Sequence, residues 1–103
     1  MTTDGNVEES RNFSLPRNAH LASRSILAFF MFASSANGLR LEVKINGRRQ
    51  KHLRLSGRSL QTIHEVIGPN VLLHGRNHIQ FGLIGGSGTV KVSDVVLWWQ
   101  ATV

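Results

Sequence analysis

The segment Leu39-Arg-Leu-Glu-Val-Lys-Ile45 alternates without a break, with Leu39, Leu41, Val43 and Ile45 on one parity and Arg40, Glu42 and Lys44 on the other. Successive side chains of a strand point to opposite faces, so the pattern describes a strand with one buried face and one wet face. Asn46-Gly47 follows at once. That dipeptide suits a two-residue type I′ turn, in which both central residues need positive φ. The return strand runs from Arg48 to Leu55 and ends before Ser56-Gly57. A chain that contains this hairpin is committed to antiparallel β pairing around it.

The rest of the sequence extends the same reading. Ser25 to Ala33 is a short aromatic and branched run closed by Ser34-Ser35-Ala36-Asn37-Gly38, as expected of a strand buried on both faces. Phe13 to Leu15, before Pro16, suits an edge strand, where a proline is tolerated. Ser59 to Ile67 carries Leu60, Ile63 and Ile67 at helical spacing, but Thr62, Ile63, Val66 and Ile67 are good strand formers, and strand is preferred. Ile79, Phe81 and Leu83 alternate with His78, Gln80 and Gly82; after the Gly85-Gly86-Ser87-Gly88 loop, Thr89 to Gln100 is the last strand. Six to eight short strands with glycine-rich turns between them predict an all-β fold, a single antiparallel sandwich or barrel.

The 103 residues make one domain, expected over residues 13–103 behind a disordered polar lead-in of residues 1–12. The formal charge is +6, and three of the six acids (Asp4, Glu8, Glu9) lie in that lead-in. Beyond the first ten residues, all twelve basic residues stand against Glu42, Glu65 and Asp94, a net +9, and such a surface attracts polyanions. The absence of cysteine excludes disulfides and thiolate metal sites and leaves the redox compartment open. Ile26 to Ala33, with Arg17 and Arg24 before it and Ala33-Ser-Ser-Ala36 after it, has features of a signal-peptide core. The run starts late behind an acidic leader, so a core strand is preferred, and with it a cytoplasmic chain over a secreted one. Eight apolar residues are too few to span a membrane.

Taken in order, the alternating strand, Asn46-Gly47, a basic segment, Leu72-x-x-Gly75-x-Asn77-x-Ile79-x-Phe81, a glycine loop and Val92-Ser-Asp-Val-Val-Leu97 resemble the galactose-binding-like jelly rolls that accompany many glycoside hydrolases and lectins. The resemblance covers about residues 25 to 100 and implies a jelly-roll β-sandwich and a non-catalytic, carbohydrate-binding role. Gly75 and Asn77 match that family's scaffold, where they supply turn geometry. Clustered carboxylates hold a structural calcium in many members; this chain has too few acids for it, and no cofactor or metal is expected.

Catalytic machinery is not expected either. Glu42, Glu65 and Asp94 lie in separate segments, whereas glycoside hydrolysis wants two facing carboxylates. No Gly-x-Ser-x-Gly is present. Glu42, between Arg40 and Lys44, reads as a solvated ion pair, and Asp94 as a bulge or turn. Of the five histidines (His20, His52, His64, His74, His78), His74 and His78 are four apart but flank the turn Gly75-Arg76-Asn77, and no cysteine or carboxylate neighbour completes a ligand set there.

Two constellations remain as candidate binding residues. Trp98 and Trp99 are adjacent, so on a strand one enters the core and the other faces out, where it can stack on a sugar or enter a subunit interface. The strand around them, Val95 to Trp99, is apolar on both faces, which favours a homo-oligomer or larger assembly. The basic cluster Arg48, Arg49, Lys51, Arg54 and Arg58, with His52 among them, reads either as an anion contact or as an edge strand kept wet by charge. The expected function is a lectin-like carbohydrate-binding module with an outward tryptophan. A self-assembling interaction protein and a binder of nucleic acid or sulfated glycan through Arg48–Arg58 are the alternatives.

Overall fold

The computed structural model describes residues 1–101, apart from the side chain of Asp4; the last two residues of the expected 13–103 domain lie outside the described residues. The chain is all-β: β1 (Thr2–Leu15), β2 (Ser25–Ile45), β3 (Arg48–Ile67) and β4 (Gly75–Trp98). They form one antiparallel sheet in the order β1-β4-β2-β3. The alternating segment sits in β2, and Asn46 (φ 51°) and Gly47 (φ 79°) make the tight turn into β3.

The structure departs from two expectations. Residues 1–12 are not a disordered lead-in, because Thr2 to Asn12 belong to β1 and pair with β4 from Thr89 to His78. The polar composition that suggests disorder belongs instead to an edge strand with a largely exposed surface. The six to eight short strands are four long ones. Ser34–Gly38, Ser56-Gly57 and Gly85–Gly88, which read as turns, lie inside β2, β3 and β4.

Those small residues line up across the sheet. Gly5 of β1 is opposite Gly86 of β4, Ser87 is opposite Asn37 of β2, and Ala36 is opposite Gly57 of β3. Ser35, Gly38, Gly57, Gly85 and Gly88 all have positive φ near this line, and the register slips beside it. The result is a crease. A straight strand of β4's length would run about 80 Å at 3.3 Å per residue, yet the molecule's longest dimension is 46 Å. β3 folds back so far at Gly57 that Lys51 and Glu65, on either side of the crease, form an ion pair at 3.4 Å.

Curling brings the inner faces of the two halves together. Leu27, Phe29, Met31 and Ala33 from one half of β2 and Leu39, Leu41, Val43 and Ile45 from the other are all buried. Phe29 meets Phe81 of β4 edge-on, with ring centroids 5.3 Å apart and an interplanar angle of 82°, a favourable aromatic geometry. The outer face of the half containing Ile26–Ala33 is not covered: Ile26 is exposed and Phe30 and Phe32 are half-buried. This segment is thus the central strand of its half with one buried face, where the sequence suggested two.

The loop before β4 is held by two asparagines. Asn77 is buried, and its amide donates to the Leu73 carbonyl at 2.8 Å and the Gly75 carbonyl at 3.2 Å. Its carbonyl oxygen accepts from the Leu73 amide at 2.8 Å and from Asn46 Nδ2 at 2.9 Å. Asn46 also donates to the Val71 carbonyl and accepts from the His78 amide, each at 2.9 Å. Both asparagines therefore tie the 71–77 loop to the β2–β3 turn. They are structural residues, as the motif implies.

The crease gives a direct test. A Cβ on Gly86 would lie 2.2 Å from the Asn37 carbonyl oxygen and 2.6 Å from the Gly38 carbonyl carbon, both backbone atoms that have nowhere to move. Gly86→Ala is expected to lower stability by at least about 2 kcal/mol. At Gly82, where a Cβ would meet nothing nearer than 3.7 Å, alanine is expected to be neutral or to stabilise by about 0.5–1 kcal/mol. Urea unfolding of both variants measures the contrast.

Candidate functional site

β1 borders β4 only as far as the ladder from Leu15↔Gly75 to Thr2↔Thr89, closed by reciprocal 2.7 Å bonds between Met1 and Val90. Beyond Val90, β4 pairs with β2 alone. Two sheet edges consequently face each other across an open seam: β1 on one side and β4 from Lys91 onward on the other. The seam is a cleft with two connected chambers of about 600 and 320 Å³, which share Arg11, Phe81 and Val95. Glu9, Lys91, Val92 and Ser93 line the larger chamber. Arg11, Asn12, Phe13, Ser14, Leu97 and Trp99 line the smaller one.

The tryptophans owe their directions to a bulge. Between Ala28↔Val96 and Phe30↔Ser93, β2 advances two residues while β4 advances three, and Asp94 takes φ 53°. An extra residue inverts the parity of everything after it. Val90 and Val92 face the core side before the bulge; Val95, Leu97 and Trp99 line the cleft after it, and Trp98 falls on the outer face opposite Ile26. Asp94 is the bulge residue that the sequence suggested.

The expectation that one tryptophan enters the core is overturned, since Trp98 is 53% exposed and Trp99 37%. The physical reason is that β4 outruns β1, so no strand flanks this end to wall in Trp99. Trp98 lies beside Ile26, which itself faces Val66 of β3. Ile26, Val66, Val96 and Trp98 form an exposed apolar patch there.

The basic cluster rides β3, an edge strand, and its members are not brought together. Arg49 donates to Glu42 at 2.9 Å, and Lys51 pairs with Glu65 at 3.4 Å. Arg58 lies over the Phe32 ring with its guanidinium carbon 5.4 Å from the centroid, within cation–π range. Arg48 is exposed beside the turn, and Arg54 is opposite Arg40. Glu42 also binds Lys44 at 3.3 Å. Burial pushes the Glu42 carboxyl up, but hydrogen bonding and charge attraction from Lys44 and Arg49 outweigh it and hold the pKa below the ordinary carboxylate value.

The histidines do not converge. His74 Nε2 is 2.8 Å from the Ala19 carbonyl oxygen, and His78 Nδ1 is 3.0 Å from Asn12 Oδ1. Among the described residues no group of three histidine, aspartate or glutamate side chains is placed to hold a metal, and no helix is long and apolar enough to cross a membrane.

Sequence reasoning singled out Trp99 but missed Arg11, Asn12, Phe13 and Ser14, which also line the cleft. The only signal for them was the alternation of Val7, Phe13 and Leu15, broken by the charges of Glu9 and Arg11 on the same parity.

No protein-family model matches this chain, and no curated protein does. Among solved structures, the chain is similar to part of PorU from Porphyromonas gingivalis, whose crystal structure is of the dimeric latent protein. The TM-score is 0.78 at 13% identity over 92% of this chain, and the chain spans 10% of that protein. What the two share is the fold.

Glu42 sets a pH dependence. A carboxylate whose folded pKa is depressed contributes stability that is fully present above its unfolded pKa and is lost as pH falls through the folded value. Glu42→Gln is expected to lower stability by up to about 1 kcal/mol at neutral pH, the range of partly exposed ion pairs. The gap between wild type and variant is expected to close as pH drops below about 4. Thermal melts from pH 7 to pH 3 measure it.

Proposed function

We propose that this chain is a non-catalytic binding module that takes a carbohydrate in the seam cleft, with Trp99 as the stacking platform. The observation that carries the reading is the composition of the smaller chamber. Trp99 and Phe13 line an apolar cleft of about 320 Å³, and Arg11, Asn12 and Ser14 add polar residues to its rim. Ligand sites are mostly apolar clefts of about 300–1,000 Å³ with a few polar groups that fix orientation, and a sugar ring offers an apolar face to an indole and hydroxyls to its neighbours. Glu9 is the one carboxylate lining the cleft among the described residues. Hydrolysis by paired carboxylates lacks its second member there.

The Asn46-Gly47 turn, the Gly75-x-Asn77 loop lock and the curled antiparallel sheet fit a galactose-binding-like jelly-roll sandwich. PorU carries a segment of this fold within a much longer chain, which suits a module that serves a larger assembly.

Trp99→Ala is expected to reduce neutral-glycan binding about tenfold or more, while Trp98→Ala leaves it within about twofold, the difference expected of one aromatic contact. Array screening followed by calorimetry reads both. Unchanged binding in Trp99→Ala would sink the stacking mechanism.

The outer face favours a second reading, a self-association or docking role. Val66 is 56% exposed and Trp98 53%, with exposed Ile26 and Val96 beside them, and contiguous apolar patches of this kind mark contact sites. Light scattering at high micromolar concentration is expected to give a mass above 11.4 kDa, reduced by Trp98→Lys. A strictly monomeric wild type ends this reading and leaves the cleft untouched.

A further inference from the structure

Arg40 and Arg54 are direct cross-strand partners in β2 and β3, and both are exposed. Like charges directly opposite in a sheet repel and destabilise it, so such a pair calls for a counter-charge. No acid among the described residues pairs with either arginine. Among the described residues the ion pairs are Lys44–Glu42, Arg49–Glu42 and Lys51–Glu65. Glu42, the nearest acid along the strand, is taken by Lys44 and Arg49. The Glu8 carboxylate on the same outer face accepts a hydrogen bond from Gln80. His52, opposite Glu42, adds another basic group beside the pair.

The surroundings form a shaped recess. Arg40 and Arg54 line a cavity of about 290 Å³ with Gly38, Leu39 and Gly85. Gly38 and Gly85 belong to the crease, with φ of 66° and 81°. A Cβ on Gly85 would lie 3.1 Å from an Arg40 guanidinium nitrogen, so the arginine lies close against backbone that a side chain would obstruct. The Arg40 guanidinium therefore lies at the Gly85 side of the cavity that Arg54 also lines. Two guanidinium groups around one opening match the oxygens of a tetrahedral anion through paired, charge-assisted hydrogen bonds.

We propose that the Arg40–Arg54 recess at the crease is a binding site for a tetrahedral oxyanion, a phosphate or sulfate group. The anion bridges two side chains that otherwise repel each other, so it stabilises the fold as it binds. The site is on the opposite face of the sheet from the Trp99 cleft and is independent of it. It also differs from the Arg48–Arg58 cluster as a whole, because Arg49 and Lys51 already have carboxylate partners and Arg58 lies on Phe32.

The test titrates the intact protein with inorganic phosphate, and separately with sulfate, against sodium chloride of matched ionic strength. Amide NMR shifts and melting temperature are the readouts. Phosphate and sulfate are expected to move the Gly38 and Gly85 amides saturably and to raise the melting temperature above the chloride control, as ligand linkage requires. Arg40→Ala and Arg54→Ala are each expected to weaken binding about tenfold or more, the loss of a charge-assisted contact. Neither is expected to lower the melting temperature without anion, because each relieves repulsion. Arg48→Ala, at the far end of the hairpin, and Trp99→Ala are expected to bind anion as wild type does. A phosphate response equal to that of chloride overturns the proposal, as does full anion binding in both Arg40→Ala and Arg54→Ala. Loss of glycan binding in Trp99→Ala with anion binding retained separates this site from the cleft.

Discussion

Strands of twenty residues and more cannot lie flat in a chain this small and still bury their apolar face. The sheet must turn over on itself, and every strand must turn at the same place, because neighbours are tied by ladder hydrogen bonds. Gly5, Gly86-Ser87, Ala36-Asn37 and Gly57 meet that demand along one line. The close approach at Gly86, with β2 backbone where a side chain would begin, shows how tightly the strands pass one another there. The core, the Lys51–Glu65 pair and the Phe29–Phe81 contact all follow from that bend.

The same constraint generates the surfaces. Curling hides the inner face and leaves the outer face of the Ser25–Ala33 half with no covering layer, so Ile26, Val66 and Trp98 stay in contact with solvent. Because β1 stops at the level of Val90, the end of β4 is an unpaired edge and the seam stays open. Asp94 then matters beyond its own position. Its bulge decides which tryptophan lines the cleft and which faces out. Bulges and charges also make poor templates for edge pairing, and both edges of the seam carry them: Asp94 and Lys91 on β4, Glu9 and Arg11 on β1.

Charge on the outer face is divided unevenly. Glu42 gathers Lys44 and Arg49, an arrangement that keeps its carboxylate ionised. Arg40 and Arg54 stand one ladder row away without such a partner among the described residues. A count of basic residues along β3 does not reveal this division, since it depends on which side chains share a face and which acids reach across strands.

Much of the fold was legible in the sequence. The alternation of Leu39 to Ile45, the Asn46-Gly47 turn and the Gly75-x-Asn77 loop are local: period-two patterning and positive-φ preference act within a few residues, and the structure uses them as written. The all-β antiparallel class follows from them. Other outcomes were decided only by tertiary structure. Whether Ser34–Gly38 or Gly85–Gly88 ends a strand or bends it depends on whether the neighbouring strands continue alongside, and small residues with positive φ serve both ends equally well. Residues 1–12 read as disordered because their apolar content is low, yet an edge strand needs only one partner, and β4 provides it. The cleft residues Arg11 to Ser14, the exposure of both tryptophans and the Arg40–Arg54 pairing arise from contacts between segments forty or more residues apart in several cases, or from register across a hairpin. Local patterning fixes which way a side chain points from its own strand; only the curl and the register determine what it meets.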